Sequence, residues 1–117
     1  MLACERLRAW QECYALVLET YRATEQFPKH ELYGLTSQAR RAAYSVVANM
    51  TEGSAKRGGR EFRRYLDISL GSLAELAVAL RLARDLRMLP EPAWAALEER
   101  PRRAGYLTWR LYRSLRR

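Results

Sequence analysis

Apolar residues recur along this chain at intervals of three and four, the spacing that places side chains on one face of an α-helix. The clearest run is Phe62, Leu66, Ser69, Leu73, Leu76, Leu80 and Ala83, with Leu70, Ala77 and Leu82 beside it. An apolar arc that wide meets more than one neighbour. It predicts a helix from about Gly59 to about Leu89, a rod of roughly 45 Å at about 1.5 Å per residue. Upstream, Leu35, Ala39, Ala42, Val46, Asn49 and Gly53 predict another helix, with Thr36 or Ser37 as its cap and Gly53 as its stop. Nearer the start, Leu7, Trp10, Tyr14, Val17, Tyr21 and Thr24 predict a helix over residues 5–27. Phe27-Pro28 ends it, because the residue before proline is pushed out of the α region. The segment from Lys29 to Gly34 then turns the chain back.

The last helix is interrupted. Pro90 and Pro92 bracket a turn, with Pro92 suited to a first helical position. Trp94, Leu97, Ala104, Leu111 and Leu115 continue the stripe, and Leu107 widens it, but Pro101 falls inside. An interior proline costs about 3 kcal/mol, and Gly105 weakens the same stretch. The pattern predicts a short helix before Pro101 and a longer one from it onward. No stretch alternates as a strand does. Residues 1–117 read as one all-α domain, an antiparallel up-down-up-down four-helix bundle with short connections.

Two stripe positions are polar, Asn49 and Ser69. Either they lie at an edge and meet water, or they form a buried hydrogen-bonded pair that fixes helix register. Glu52 and Glu75 would extend such a network.

Charge changes the picture more than composition does. The net charge is +8, and it is unevenly spread. Residues 40–64 carry seven basic and two acidic groups, and residues 98–117 carry the same, whereas the rest is near balance. Arginine outnumbers lysine 19 to 2; arginine grips phosphate bidentately, although GC-rich coding gives the same bias. The clustering is therefore the signal. Arg40, Arg41, Lys56, Arg57, Arg60, Arg63 and Arg64 form the first candidate nucleic-acid-binding block. In the second, Arg110 and Arg113, with Arg102, Arg103, Arg116 and Arg117, interleave with Tyr106, Trp109 and Tyr112. Such mixtures suit single-stranded RNA, because bases stack on rings while arginine meets phosphate. They also suit an anionic membrane surface; the favoured reading of the three is that the aromatics pack in the bundle or at a subunit interface.

Catalytic chemistry finds little support. His30 is the lone histidine, in a connector, and the Glu-x-x-His pairs of a di-iron bundle are missing. No metal or cofactor is expected, and the chain is not expected to be an enzyme. The basic turn from Lys56 to Arg60 lacks the order of a Walker loop. Cys4 and Cys13, nine apart, would face opposite sides of a helix and form no disulfide. The start MLACERLRAW has charges where a signal peptide needs an apolar core, so the cytoplasm is the expected compartment.

The sequence also resembles the four-helix-bundle proteins encoded in intervening sequences of bacterial 23S ribosomal RNA genes, and the related accessory proteins of diversity-generating retroelements. The resemblance rests on Trp10-Gln11, Phe27-Pro28 with Glu31, and the run from Tyr33 to Gln38. It continues through Arg40-Arg41-Ala42, Ser45, Asn49, Glu52-Gly53, Glu61-Phe62, Leu70-Gly71-Ser72-Leu73 and Glu75-Leu76. It implies a homopentamer with a basic surface that binds RNA or other nucleic acid. Gly58-Gly59 departs from the Ser or Thr usual before the third helix, and the last helix matches least. The expected function is thus a non-enzymatic, oligomeric, nucleic-acid-binding bundle. The alternatives are a scaffold that docks a protein partner such as a reverse transcriptase, and a basic membrane-surface protein, the less favoured of the two.

Overall fold

The computed structural model describes residues 2–115, an elongated helical body measuring 44 × 25 × 24 Å. Five helices follow a short 3₁₀ turn at Ala3–Arg6: α1 (Arg8–Thr24), α2 (Leu35–Ser54), α3 (Gly59–Asp85), α4 (Glu91–Leu97) and α5 (Glu99–Ser114). There is no strand among the described residues. Contacts at the helix ends fix the directions. Trp10 at the start of α1 donates its indole N–H to Thr51 near the end of α2 (3.0 Å), while Arg40 near the start of α2 reaches Thr24 at the end of α1 (2.8 Å). Arg63 in the first turns of α3 lies on the ring of Tyr112 in the last turns of α5. Neighbours therefore run antiparallel, up-down-up-down, with α4 and α5 together as the fourth member. One end of the body holds the α2–α3 turn and the end of α5.

The α2–α3 hairpin follows the predicted stripes. Ala39, Ala42, Val46, Leu66, Leu73, Leu76, Leu80 and Ala83 are all buried. Gly53 has a different role from the one expected. It is helical and buried, and a Cβ there would lie 2.6 Å from Tyr65 Cβ and 3.1 Å from Phe62 Cδ1. Its missing side chain brings the two helices together; it does not stop α2. The left-handed residue at the turn is Gly58 (φ 84°), immediately before α3. The N-terminal cap of α2 is likewise neither Thr36 nor Ser37. Glu31 reaches forward to accept from the Leu35 amide at 2.9 Å.

α3 ends at Asp85, short of Leu89. The Met88 amide bonds back to the Ala83 carbonyl (2.8 Å) and the Arg87 amide to Arg84 (2.9 Å), which closes the helix with Arg87 left-handed (φ 61°). Between α4 and α5 the break falls at Glu98, and Pro101 sits in the first turn of α5, where its missing N–H has no helical acceptor to lose.

α1 is shorter than predicted, and its predicted stripe turns inward only in part: Thr24 is buried and Trp10 and Val17 pack against the core. Tyr14 and Tyr21 are exposed, whereas Ala9, Cys13, Leu16, Thr20 and Ala23 are buried. Small residues let α1 approach its neighbours closely. Thr20 and Thr24 tolerate burial because their hydroxyls donate back to the carbonyls of Leu16 (2.7 Å) and Thr20 (2.8 Å). Cys13 faces Thr108 of α5, sulfur to oxygen 3.5 Å, and burial pushes its thiol up to about 11. Cys4 is buried too, in the 3₁₀ turn, and both thiols are free.

The four residues expected in one buried network separate. Ser69 is fully buried and donates to the Val46 carbonyl (2.8 Å). Asn49 is half-buried and donates to Ser45, whose hydroxyl meets that of Ser72 at 2.8 Å. Glu52 and Glu75 are exposed and belong to neither arrangement. A carboxylate inside the hairpin would lose its hydration with no cation opposite to replace it.

Candidate nucleic-acid interface

A helix of twenty residues divides the first basic block. Arg40 and Arg41 lie in the second turn of α2, and Lys56 follows the end of that helix. The sixteen positions between Arg40 and Lys56 span about 24 Å. The block counted as one along the sequence is therefore two patches at opposite ends of the molecule.

The turn end holds Lys56, Arg57, Arg60, Arg63 and Arg64. The turn itself is tight: the Ala55 and Lys56 amides bond back to Glu52 and Gly53 (both 3.1 Å), and left-handed Gly58 redirects the chain into α3. Arg57 and Arg60 are exposed, with no carboxylate partner among the described residues. Lys56 pairs with Glu52 (3.9 Å) and Arg64 with Glu61 (3.4 Å). Exposed pairs of this kind are worth little, so a phosphate displaces them at small cost. Both cations also lie over the Tyr65 ring, at 5.8 and 4.6 Å. Arg63 is different. It is half-buried, its guanidinium lies 4.3 Å from the Tyr112 ring, and its Nε is buried with no acceptor among the described residues. It ties α3 to α5 and is the least available cation of the group.

The second block also divides. Arg103 pairs with Glu12 of α1, and Arg100 reaches both Glu12 and Glu19 (3.7 Å each), so these two hold α1 against α5. The outer face of α5 carries Tyr106, Trp109, Arg110 and Arg113. Arg113 lies 4.9 Å from the Trp109 ring and Arg110 5.9 Å from Tyr106, and the two rings are 6.5 Å apart. Both rings are exposed, so they do not pack into the bundle. Tyr112, on the inner side, does. Arg116 and Arg117 lie outside the described residues.

Arg63 on Tyr112 places the end of α5 beside the start of α3, so free cations from both blocks share one end of the bundle. A model of the 23S rRNA-intervening sequence protein family matches residues 5–107. The chain belongs to that family. The match includes the hairpin and its basic turn and stops just before Arg110 and Arg113 of the α5 ladder. Among curated proteins no sequence matches this member of the 23S rRNA-intervening sequence family significantly.

Nothing in the sequence marked Arg100 and Arg103 as structural. The signal available was a pair of glutamates on α1, Glu12 and Glu19, one heptad apart and so on one face. Candidate metal ligands do not cluster among the described residues, and no described helix is long and apolar enough to cross a membrane.

Proposed function

We propose that this family member is a non-enzymatic RNA-binding bundle whose contact surface is the turn end. The observation that carries the reading is the convergence there of Arg57, Arg60 and Arg64 with Arg110 and Arg113, beside exposed aromatic rings. Cations without buried partners give salt-dependent phosphate contact, and exposed rings give base stacking. Changing Arg57, Arg60 and Arg64 together to Ala should weaken RNA binding and flatten its dependence on salt, each lost phosphate contact lowering the slope by about one. Titration of RNA at several salt concentrations measures this, and an unchanged slope refutes the surface.

The same reading includes self-assembly, as a pentamer by family resemblance. Val78 is 67% exposed and Leu82 45% exposed, beside an open apolar groove between α2 and α3 that also includes Leu35 and Ala74. Exposed apolar surface of this kind marks an interface. Leu107 is packed against the core and is a poorer probe of the interface than Leu82. Leu82→Arg should lower the mass found by light scattering, keep helix content, and weaken RNA binding through lost multivalency. A mass near 13.6 kDa for the unaltered protein across micromolar concentrations would refute the assembly. The resemblance to retroelement accessory proteins makes a reverse transcriptase the alternative partner. Salt-dependent binding to unrelated RNAs favours the nucleic-acid reading, and its absence favours the protein partner.

A further inference from the structure

The opposite end of the bundle has an open groove of its own, about 440 Å³, lined by Tyr21, Tyr33, Tyr44, Ser37, Arg40 and Arg41 among others. We infer that this groove holds an unpaired nucleobase of single-stranded RNA, with the adjoining phosphate on Arg41. The inference rests on the nucleic-acid reading above, but it uses a different part of the surface.

Tyr33 is 93% exposed and Tyr44 64% exposed, so neither ring contributes much to the core. Arg40, by contrast, is held still. Its Nε donates to Thr24 Oγ1 at 2.8 Å, a terminal nitrogen reaches the Tyr21 carbonyl at 3.5 Å, and its Cζ lies over the Tyr21 ring, 4.7 Å from the ring centre. One wall of the groove is thus a fixed guanidinium–ring stack, and two exposed rings lie nearby. A base entering it meets surfaces whose ordering cost is already met in part.

The polar groups select a nucleotide over a bare anion. The first amide of α2 is already taken by the Glu31 carboxylate, which leaves that helix end a poor site for a free anion. Arg41 is exposed and, among the described residues, holds only the amide oxygen of Gln38 (3.1 Å), so it is available for phosphate beside a stacked base. Stacking on the rings needs a base freed from its duplex, which excludes continuous double-stranded RNA. The groove is open along one side, and a polymer can enter it without an end.

Tyrosine and arginine also favour protein interfaces, so the test must separate the two. The full chain is irradiated with a single-stranded RNA oligonucleotide carrying iodouridine, and the crosslinked peptides are mapped. Crosslinks to Tyr33 or Tyr44 are expected. The double variant Tyr33→Ala/Tyr44→Ala should lose about 5- to 100-fold in affinity for the single strand, the range for lost base stacking, with the salt slope unchanged. Tyr33→Phe/Tyr44→Phe should retain binding, and the duplex of the same sequence should not discriminate among the three proteins. Crosslinks confined to other residues overturn the inference, as does unaltered affinity of the alanine variant. A fall in oligomer mass with RNA affinity kept also overturns it and makes the groove a protein interface. If the alanine variant binds normally while Arg57→Ala/Arg60→Ala/Arg64→Ala does not, this groove fails and the turn-end surface stands. If the arginine variant keeps its salt slope while Tyr33 crosslinks, the turn-end surface fails alone.

Discussion

Arg103 and Arg110 stand seven residues apart on α5, near enough to the same helical face, yet they do opposite things. Arg103 meets Glu12 across the seam with α1 and joins Arg100 in holding two helices together. Among the described residues Arg110 meets the ring of Tyr106 and no carboxylate, and it is exposed. The difference comes from the helix opposite, not from α5. A carboxylate neutralises an arginine and assigns it to the fold. An aromatic ring orients the guanidinium and leaves its charge for a ligand. The same division separates Arg40, fixed by α1, from Arg41 beside it. The charge of +8 is therefore no measure of the charge left free for a ligand.

The hardest test of that view disturbs the turn end without touching a charge. Gly53→Val sets a branched side chain against Tyr65 Cβ and should cost about 1–3 kcal/mol in thermal or denaturant unfolding. It should also lower RNA affinity, because Arg60 and Arg64 move with α3. If charge alone governed binding, affinity would not change. A smaller effect is expected from Glu12→Gln, which frees Arg103 and leaves Arg100 to Glu19 alone. These pairs are partly exposed, so stability should fall by no more than about 1 kcal/mol. The salt slope for RNA should hold or steepen; a shallower slope would contradict the division into paired and free arginines. The smallest effect is Arg87→Gly. It removes one positive charge far from the turn end and relieves a left-handed arginine, so it should stabilise by up to about 1 kcal/mol and leave the salt slope as it was. A weakened RNA complex there would show that total charge matters more than placement.

The α3 half of the hairpin was legible because its stripe is built largely of leucines, from Leu66 to Leu80, whose burial dominates any competing face. α1 was not. Its aromatic stripe, Tyr14 and Tyr21, has more apolar surface than the face that is buried, Cys13, Leu16 and Thr20. Size put the tyrosines at the centre of the stripe, whereas close approach of helices selects small residues and backbonding threonines, so the buried face is turned towards Cys13, Leu16 and Thr20. The basic turn could be found from the sequence, but not the separation of Arg40 and Arg41 from it, because counting along the chain ignores the length of the helix between. Glu31 as the cap of α2 was hidden for a related reason. It acts from a connector four residues before the amide it serves.

The elongated shape gives the basic tip a kinetic meaning. At about 0.1 M salt a charge is felt over only about 10 Å, far less than the 44 Å length of the body. A polyanion approaching from any side would pull on the nearest cations alone, and encounters that arrive at the turn end would be captured in preference. At about 0.01 M salt the screening length grows to about 30 Å, so distant charges pull together and orientation matters less. Dilution of salt should thus speed association while making its geometry less selective.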